Sequence, residues 1–122
     1  MDILTNILVG VVALLHYYFM ALEMYFWTKP LGLKTFGMSE EKALDTKVLA
    51  ANQGLYNGFL ATGLVWGLLS SNTEFSFQFQ VFFLSCMIVA GAYGALTVGR
   101  KILFVQALPA SIALILLLIT CL

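Results

Sequence analysis

The chain has 122 residues, 61% of them hydrophobic and 10% charged, with six bases balanced by six acids and a single histidine. Soluble domains lie nearer ~45–50% apolar, so this is the composition of a membrane protein. A net charge of zero excludes the broad basic surface that a nucleic-acid partner requires, and no nucleic-acid-binding motif is present.

Crossing a hydrocarbon core takes roughly 20 helical residues. The first run long enough is Ile3–Trp27. It follows Asp2 rather than a base and is too long for a signal peptide's apolar region, so it is expected to stay in the mature protein. Its second half, HYYFMALEMYFW, sets His16 and Glu23 among aromatic residues. Tyr25, Phe26 and Trp27 fall at the depth of an interfacial belt, while Tyr17 and Tyr18 lie deeper. In the loop that follows, Pro30 comes just after the helix and Gly32 and Gly37 allow turns. Ser39 before Glu40 and Glu41 is an N-cap with acids in the first turn.

The second helix is therefore expected over about 40–70, with its apolar span at Lys47–Leu69. From Glu40 to Leu69 is ~45 Å, longer than a ~30 Å core, which predicts a protruding turn, a kink or a tilt. The third span is Phe77–Val98, in a helix over about 76–99. The stretch FSFQFQVFF alternates like a strand, but a lone strand cannot satisfy its backbone in lipid, so it reads as the aromatic start of this helix. The fourth span is Ile102–Leu122, in a helix over about 101–122. Continuous apolar runs argue for helices over a closed barrel. The expectation is an all-α, polytopic membrane protein: one domain over 1–122, with four transmembrane helices in a bundle. Cys86 near the bilayer middle and Cys121 at the far end of the last helix are expected to be free thiols.

Four spans place the first and third loops on one side, with both termini and the middle loop on the other. All six bases fall on the first side: Lys29, Lys34, Lys42 and Lys47 around the first loop, Arg100 and Lys101 in the third. The middle loop, SSNTEF, has none. The positive-inside rule thus puts the basic loops in the cytoplasm and both termini outside.

Three stretches, LEMYFWTKPLGLKTFGMS at 22–39, TKVLAANQGLYNGFLATGLVWG at 46–67 and GAYGALTVGRKILFVQALPA at 91–110, resemble a family of small bacterial inner-membrane proteins known as domain of unknown function 1304. The likeness covers nearly the whole chain. It implies a four-helix, multi-pass protein of the bacterial plasma membrane and transfers neither a catalytic residue nor a substrate.

Counting at 1.5 Å per residue puts Glu23 ~6 Å below the cytoplasmic surface. Asn52, Gln53, Gln106 and Arg100 fall at a similar level. His16, Asn57 and Tyr93 come deeper. At 100° per residue His16 and Glu23 share one stripe of the first helix. On the second, Asn52, Gln53, Tyr56 and Asn57 share an arc with Gly63 and Gly67, beside a neighbouring arc of Ala50, Gly54, Gly58 and Ala61. Only Leu55, Phe59 and Trp66 are left for lipid. A charged group facing lipid costs ~2.5–3.5 kcal/mol even on the lenient insertion scale, so these side chains are expected to meet in a shared polar pocket open to the cytoplasm. Small residues at four-residue spacing, such as Gly54 with Gly58, let the backbones close around it.

Each reading has a plainer rival. Glu23 is either a proton- or cation-responsive carboxylate or half of a salt bridge to Arg100 or Lys101. His16 is more often a hydrogen-bonded core histidine than a ligand. The amides are either cavity lining or interhelical glue at ~0.6 kcal/mol per contact. No Ser–His–acid set, P-loop, glycine-rich dinucleotide motif or metal-ligand spacing occurs, so no catalytic residue, metal or cofactor is assigned. The leading expectation is binding or transport of a small solute or lipid-like ligand by His16, Glu23, Asn52, Gln53, Tyr56, Asn57, Tyr93, Arg100 and Gln106. A membrane-embedded enzyme on a lipid or quinone-like substrate, and a structural or accessory subunit, remain open. The partners expected are the bilayer, a small-molecule or lipid ligand and, because so short a chain would transport only as an oligomer, further copies of itself.

Overall fold

The structure, a computed structural model, describes residues 2–97, 101 and 103–121. The architecture is all-α, and its elements among these residues are α1 (Ile3–Met24), α2 (Pro30–Phe36), α3 (Glu40–Leu69), α4 (Thr73–Thr97), a π-helical segment (Leu103–Ala107) and α5 (Leu108–Cys121). Three helical stretches, Ile3–Met24, Thr73–Thr97 and Phe104–Cys121, are long and apolar enough to cross a membrane. No more than 28% of any of these spans is buried inside the protein, so most of their apolar surface lies outside the core. α3 is long enough too, with 30 residues, but its three amides between Asn52 and Asn57 make it less apolar than the others.

The elements form two compact units, one of Leu15–Phe59 and the other of Met1–Leu14 with Leu60–Leu122. In the first, α1 ends at Met24, three residues before the expected Trp27. The chain there bends through Tyr25–Lys29, where Lys29 N–H donates to Phe26 O at 3.1 Å. Lys29 is extended, with φ −87° and ψ 162°, the geometry that a following proline enforces. Pro30 then opens α2, a short helix that the turn signals did not reveal; the proline costs nothing at its first position because the missing N–H would be unbonded there. Gly37, at φ 59°, closes α2 in the left-handed conformation that only glycine adopts without strain. Gly32 sits so close to the Phe26 and Trp27 carbonyls that a Cβ would overlap them.

Ser39 caps α3 as expected, its Oγ accepting from Lys42 N–H at 3.2 Å. Trp27 ties the loop down, donating from Nε1 to Thr46 Oγ1 at 3.0 Å while its ring lies 4.8 Å from Phe36.

In the second unit, Asp2 caps α1 by accepting from Thr5 N–H at 2.7 Å. That bond holds its carboxyl below the usual carboxylate range. α4 begins at Thr73, with Asn72 Oδ1 accepting from Phe75 N–H at 3.0 Å. FSFQFQVFF is helical throughout. Ser76 and Gln80 turn inward with Leu84, Met87 and Gly91, while Phe75, Phe79 and Phe83 stack at 4.1 and 5.7 Å. α4 packs on the π segment and α5, and Ala110, Ala113 and Leu117 are buried there. The π segment has a sequence cause. Pro109 offers no N–H to Val105 O, and its ring would clash with that carbonyl in a regular helix; widening the turn relieves both.

Candidate functional site

Within Leu15–Phe59 the buried acid is Glu23 of α1. Glu23 is 7% exposed and so is Asn57 of α3, and Asn57 Nδ2 donates to Glu23 Oε1 at 2.5 Å. The bond exists because α3 is bare on both sides of Asn57. A Cβ at Gly54 would stand 2.9 Å from Glu23 Cβ and Met24 Cγ and 3.1 Å from the Met20 carbonyl; one at Gly58 would stand 2.6 Å from Met20 Sδ. The two glycines let α1 and α3 touch, so a side chain as short as asparagine spans the gap. At 100° per residue Asn57 lines up with Ala50 and Ala61, both buried, so the small-residue arc of α3 is its packing face.

Among the described residues nothing donates to the second carboxyl oxygen, Oε2. The carboxyl is thus held by a neutral amide on one oxygen and open on the other. Such a group can bind a proton or a small cation at Oε2 while Asn57 fixes its orientation. His16 shares the Glu23 stripe, ~10.5 Å away along the helix axis. It is fully buried, with its ring edge-on to Phe19 at 5.4 Å.

Contrary to the azimuth count, the polar residues of α3 within Leu15–Phe59 do not all face Glu23. Asn52, Gln53 and Tyr56 are exposed, Tyr56 by 60%, and they turn away from the glycine arc that Asn57 joins. The reason is rotational: Asn57 stands 40° from Gln53 and 140° from Asn52, which is enough for packing to take one amide and leave the others outside. Leu55, Phe59 and Trp66 do face out, but they share the exterior with those three polar residues.

Tyr93 and Gln106 belong to the other unit. Tyr93, 69% exposed, helps line a shallow open groove of about 550 Å³ along one face of α4, with Phe82, Ser85, Cys86, Val89 and Ala90. Gln106 is half-buried in the π segment. Arg100, expected to cap the third helix, lies outside the described residues.

Sequence reasoning overlooked one polar pair. Gln80 is fully buried and Ser76 nearly so, with Gln80 Nε2 donating to Ser76 Oγ at 2.9 Å. The signal was available as an i, i+4 pair, once the alternating stretch is read as a helix. Thr5, in the same unit, is 1% exposed, and among the described residues its Oγ1 has no hydrogen-bond partner.

A family model described as "Protein of unknown function (DUF1304)" matches residues 10–118. Over 117 residues the chain is 34% identical to a protein of Lactococcus lactis subsp. lactis (strain IL1403) named "Uncharacterized protein YpaA", an alignment that covers 94% of this chain and 97% of that one. No solved structure matches. With nearly the whole chain accounted for in this way, it belongs to the DUF1304 family.

Proposed function

We propose that this protein is a four-span component of the bacterial plasma membrane, with both termini outside the cytoplasm, that binds and carries a small cationic solute at Glu23. The observation that carries the reading is the buried carboxyl itself, restrained by Asn57 on one oxygen and open on the other. An ionisable group at this depth is expensive and points to a function. The surrounding aromatic stretch of α1 suits an organic cation, since ring faces attract positive charge. α3 serves as the fourth span in this reading. Its burial of Asn57 removes one of the three amides that otherwise lower its hydropathy.

The test uses purified protein in liposomes, with small organic ammonium ions as probes. Binding is followed by calorimetry and uptake by a dye trapped in the lumen. Uptake is expected to be lost in Glu23→Gln and partly kept in Glu23→Asp, while Asn57→Leu weakens binding without abolishing it. Unchanged uptake in Glu23→Gln would remove Glu23 from the mechanism.

The outward amides of α3 favour a second reading, an accessory subunit whose polar groups serve assembly. In that case the purified protein in liposomes takes up no cation, wild type and Glu23→Gln alike.

A further inference from the structure

The arc of α3 that carries Asn52, Gln53 and Tyr56 runs on toward Leu69, and its two ends are treated differently. Near Leu69 it is filled. The Phe83 ring takes the space over Gly63, and a Cβ on Gly67 would meet Phe79 Cβ at 3.1 Å. Near Lys47 it is open: Leu49 is 72%, Tyr56 60% and Phe59 58% exposed, and Asn52 and Gln53 between them are exposed too. These five side chains fall within ~120° of one another, at the i, i+3, i+4, i+7 spacing of a helix-packing seam. Counting back from Leu69, the two amides lie ~24–26 Å along the helix, inside a ~30 Å core. Acyl chains offer them neither donors nor acceptors.

We propose that this seam is where a second copy of the chain docks, parallel to the first, about a two-fold axis along the membrane normal. An amide is both donor and acceptor, so Asn52 and Gln53 of one copy can pair with the same residues of the other. A two-fold contact demands such a self-complementary surface. With all six bases in or beside the first and third connections between spans, every copy inserts the same way, and identical seams meet at identical depth. Leu49, Tyr56 and Phe59 supply apolar contact above and below the amide layer. Asn57 and its Glu23 partner occupy a different arc, so docking leaves that carboxyl untouched. The assignment rests on the orientation proposed above and not on solute binding.

The full chain, with Cys86→Ala and Cys121→Ala, is reconstituted in phosphatidylcholine–phosphatidylglycerol vesicles. Leu49→Cys is expected to cross-link to dimers under mild oxidation. Leu44→Cys, 60% exposed but ~60° beyond the edge of the seam and ~140° round the helix from Leu49, is not. Energy transfer between labelled copies should rise with the protein-to-lipid ratio. The double variant Asn52→Leu, Gln53→Leu should weaken association roughly ten- to a hundredfold, with helicity unchanged by circular dichroism. Three results overturn the proposal: a wild type that stays monomeric at every ratio, its amides then served by headgroups and water; equal cross-linking at Leu44→Cys and Leu49→Cys; or unaltered association of the double variant. Should that variant fail to fold, the cysteine comparison decides alone, since it keeps both amides. None of these readouts depends on uptake, so the failure of solute transport and the failure of docking are separately visible.

Discussion

Gly54 and Gly58 stand four residues apart on α3 yet meet different neighbours. Opposite Gly54 are Glu23 Cβ and the Met20 carbonyl, neither of which can swing aside. Opposite Gly58 is the Met20 thioether, which can change rotamer at small cost. Gly54→Ala is therefore expected to lower stability by ~1–3 kcal/mol, as overpacking does, and to lengthen the Asn57–Glu23 bond. Gly58→Ala should cost less than half as much. Gly10, with nothing near its missing Cβ, is the control. Gly10→Ala should stabilise α1 by ~0.5–1 kcal/mol through helix propensity alone. Unfolding titrations in mixed micelles would rank the three, and equal losses at residues 54 and 58 would contradict the geometry. At this scale the sequence marked the glycines as contact residues. It could not say which of them touches backbone, because that depends on the register between helices.

α4 and the last helical stretch approach closely at Gly91. A Cβ at Gly91 would lie 2.7 Å from both the Cβ and the backbone N of Ala107, at the end of the π segment. Gly91→Ala is thus expected to cost ~1–3 kcal/mol. Adding Ala107→Gly should restore only part of it, because the backbone nitrogen stays in the way. Thermal unfolding in detergent reads the difference, and full recovery in the double variant would mean the backbone yields. The widened turn itself was legible in principle, since Pro109 rules out a regular helix one turn earlier. α2 was legible only as punctuation: Pro30, Gly32 and Gly37 marked turns. The seven-residue helix between them is too short to form alone and depends on the packing of Trp27 against Phe36.

For the molecule as a whole, the arrangement of charge leads to a direct test of orientation. In a background of Cys86→Ala and Cys121→Ala, Ser71→Cys in the middle loop is expected to react with a membrane-impermeant thiol reagent added to intact cells. Lys34→Cys on α2 should react only after permeabilisation; the reverse pattern would overturn the proposed orientation, and the same accessibility at both sites would remove α3 as a span. What the sequence alone determined is the class of molecule: helices with apolar exteriors, one of them capped at Ser39, with every base falling in or beside two of the connections between spans. Composition and local hydrogen bonding suffice for that, since hydrocarbon leaves the backbone few choices. Tertiary structure decided which polar side chains meet. Differences of ~40° to ~140° in facing about one helix sent Asn57 inward to Glu23 and left Asn52, Gln53 and Tyr56 outside, because spacing alone does not say where the packing face begins. The physical reason is that packing of glycine against methionine and phenylalanine, and not the polarity of the amides, sets the facing of α3.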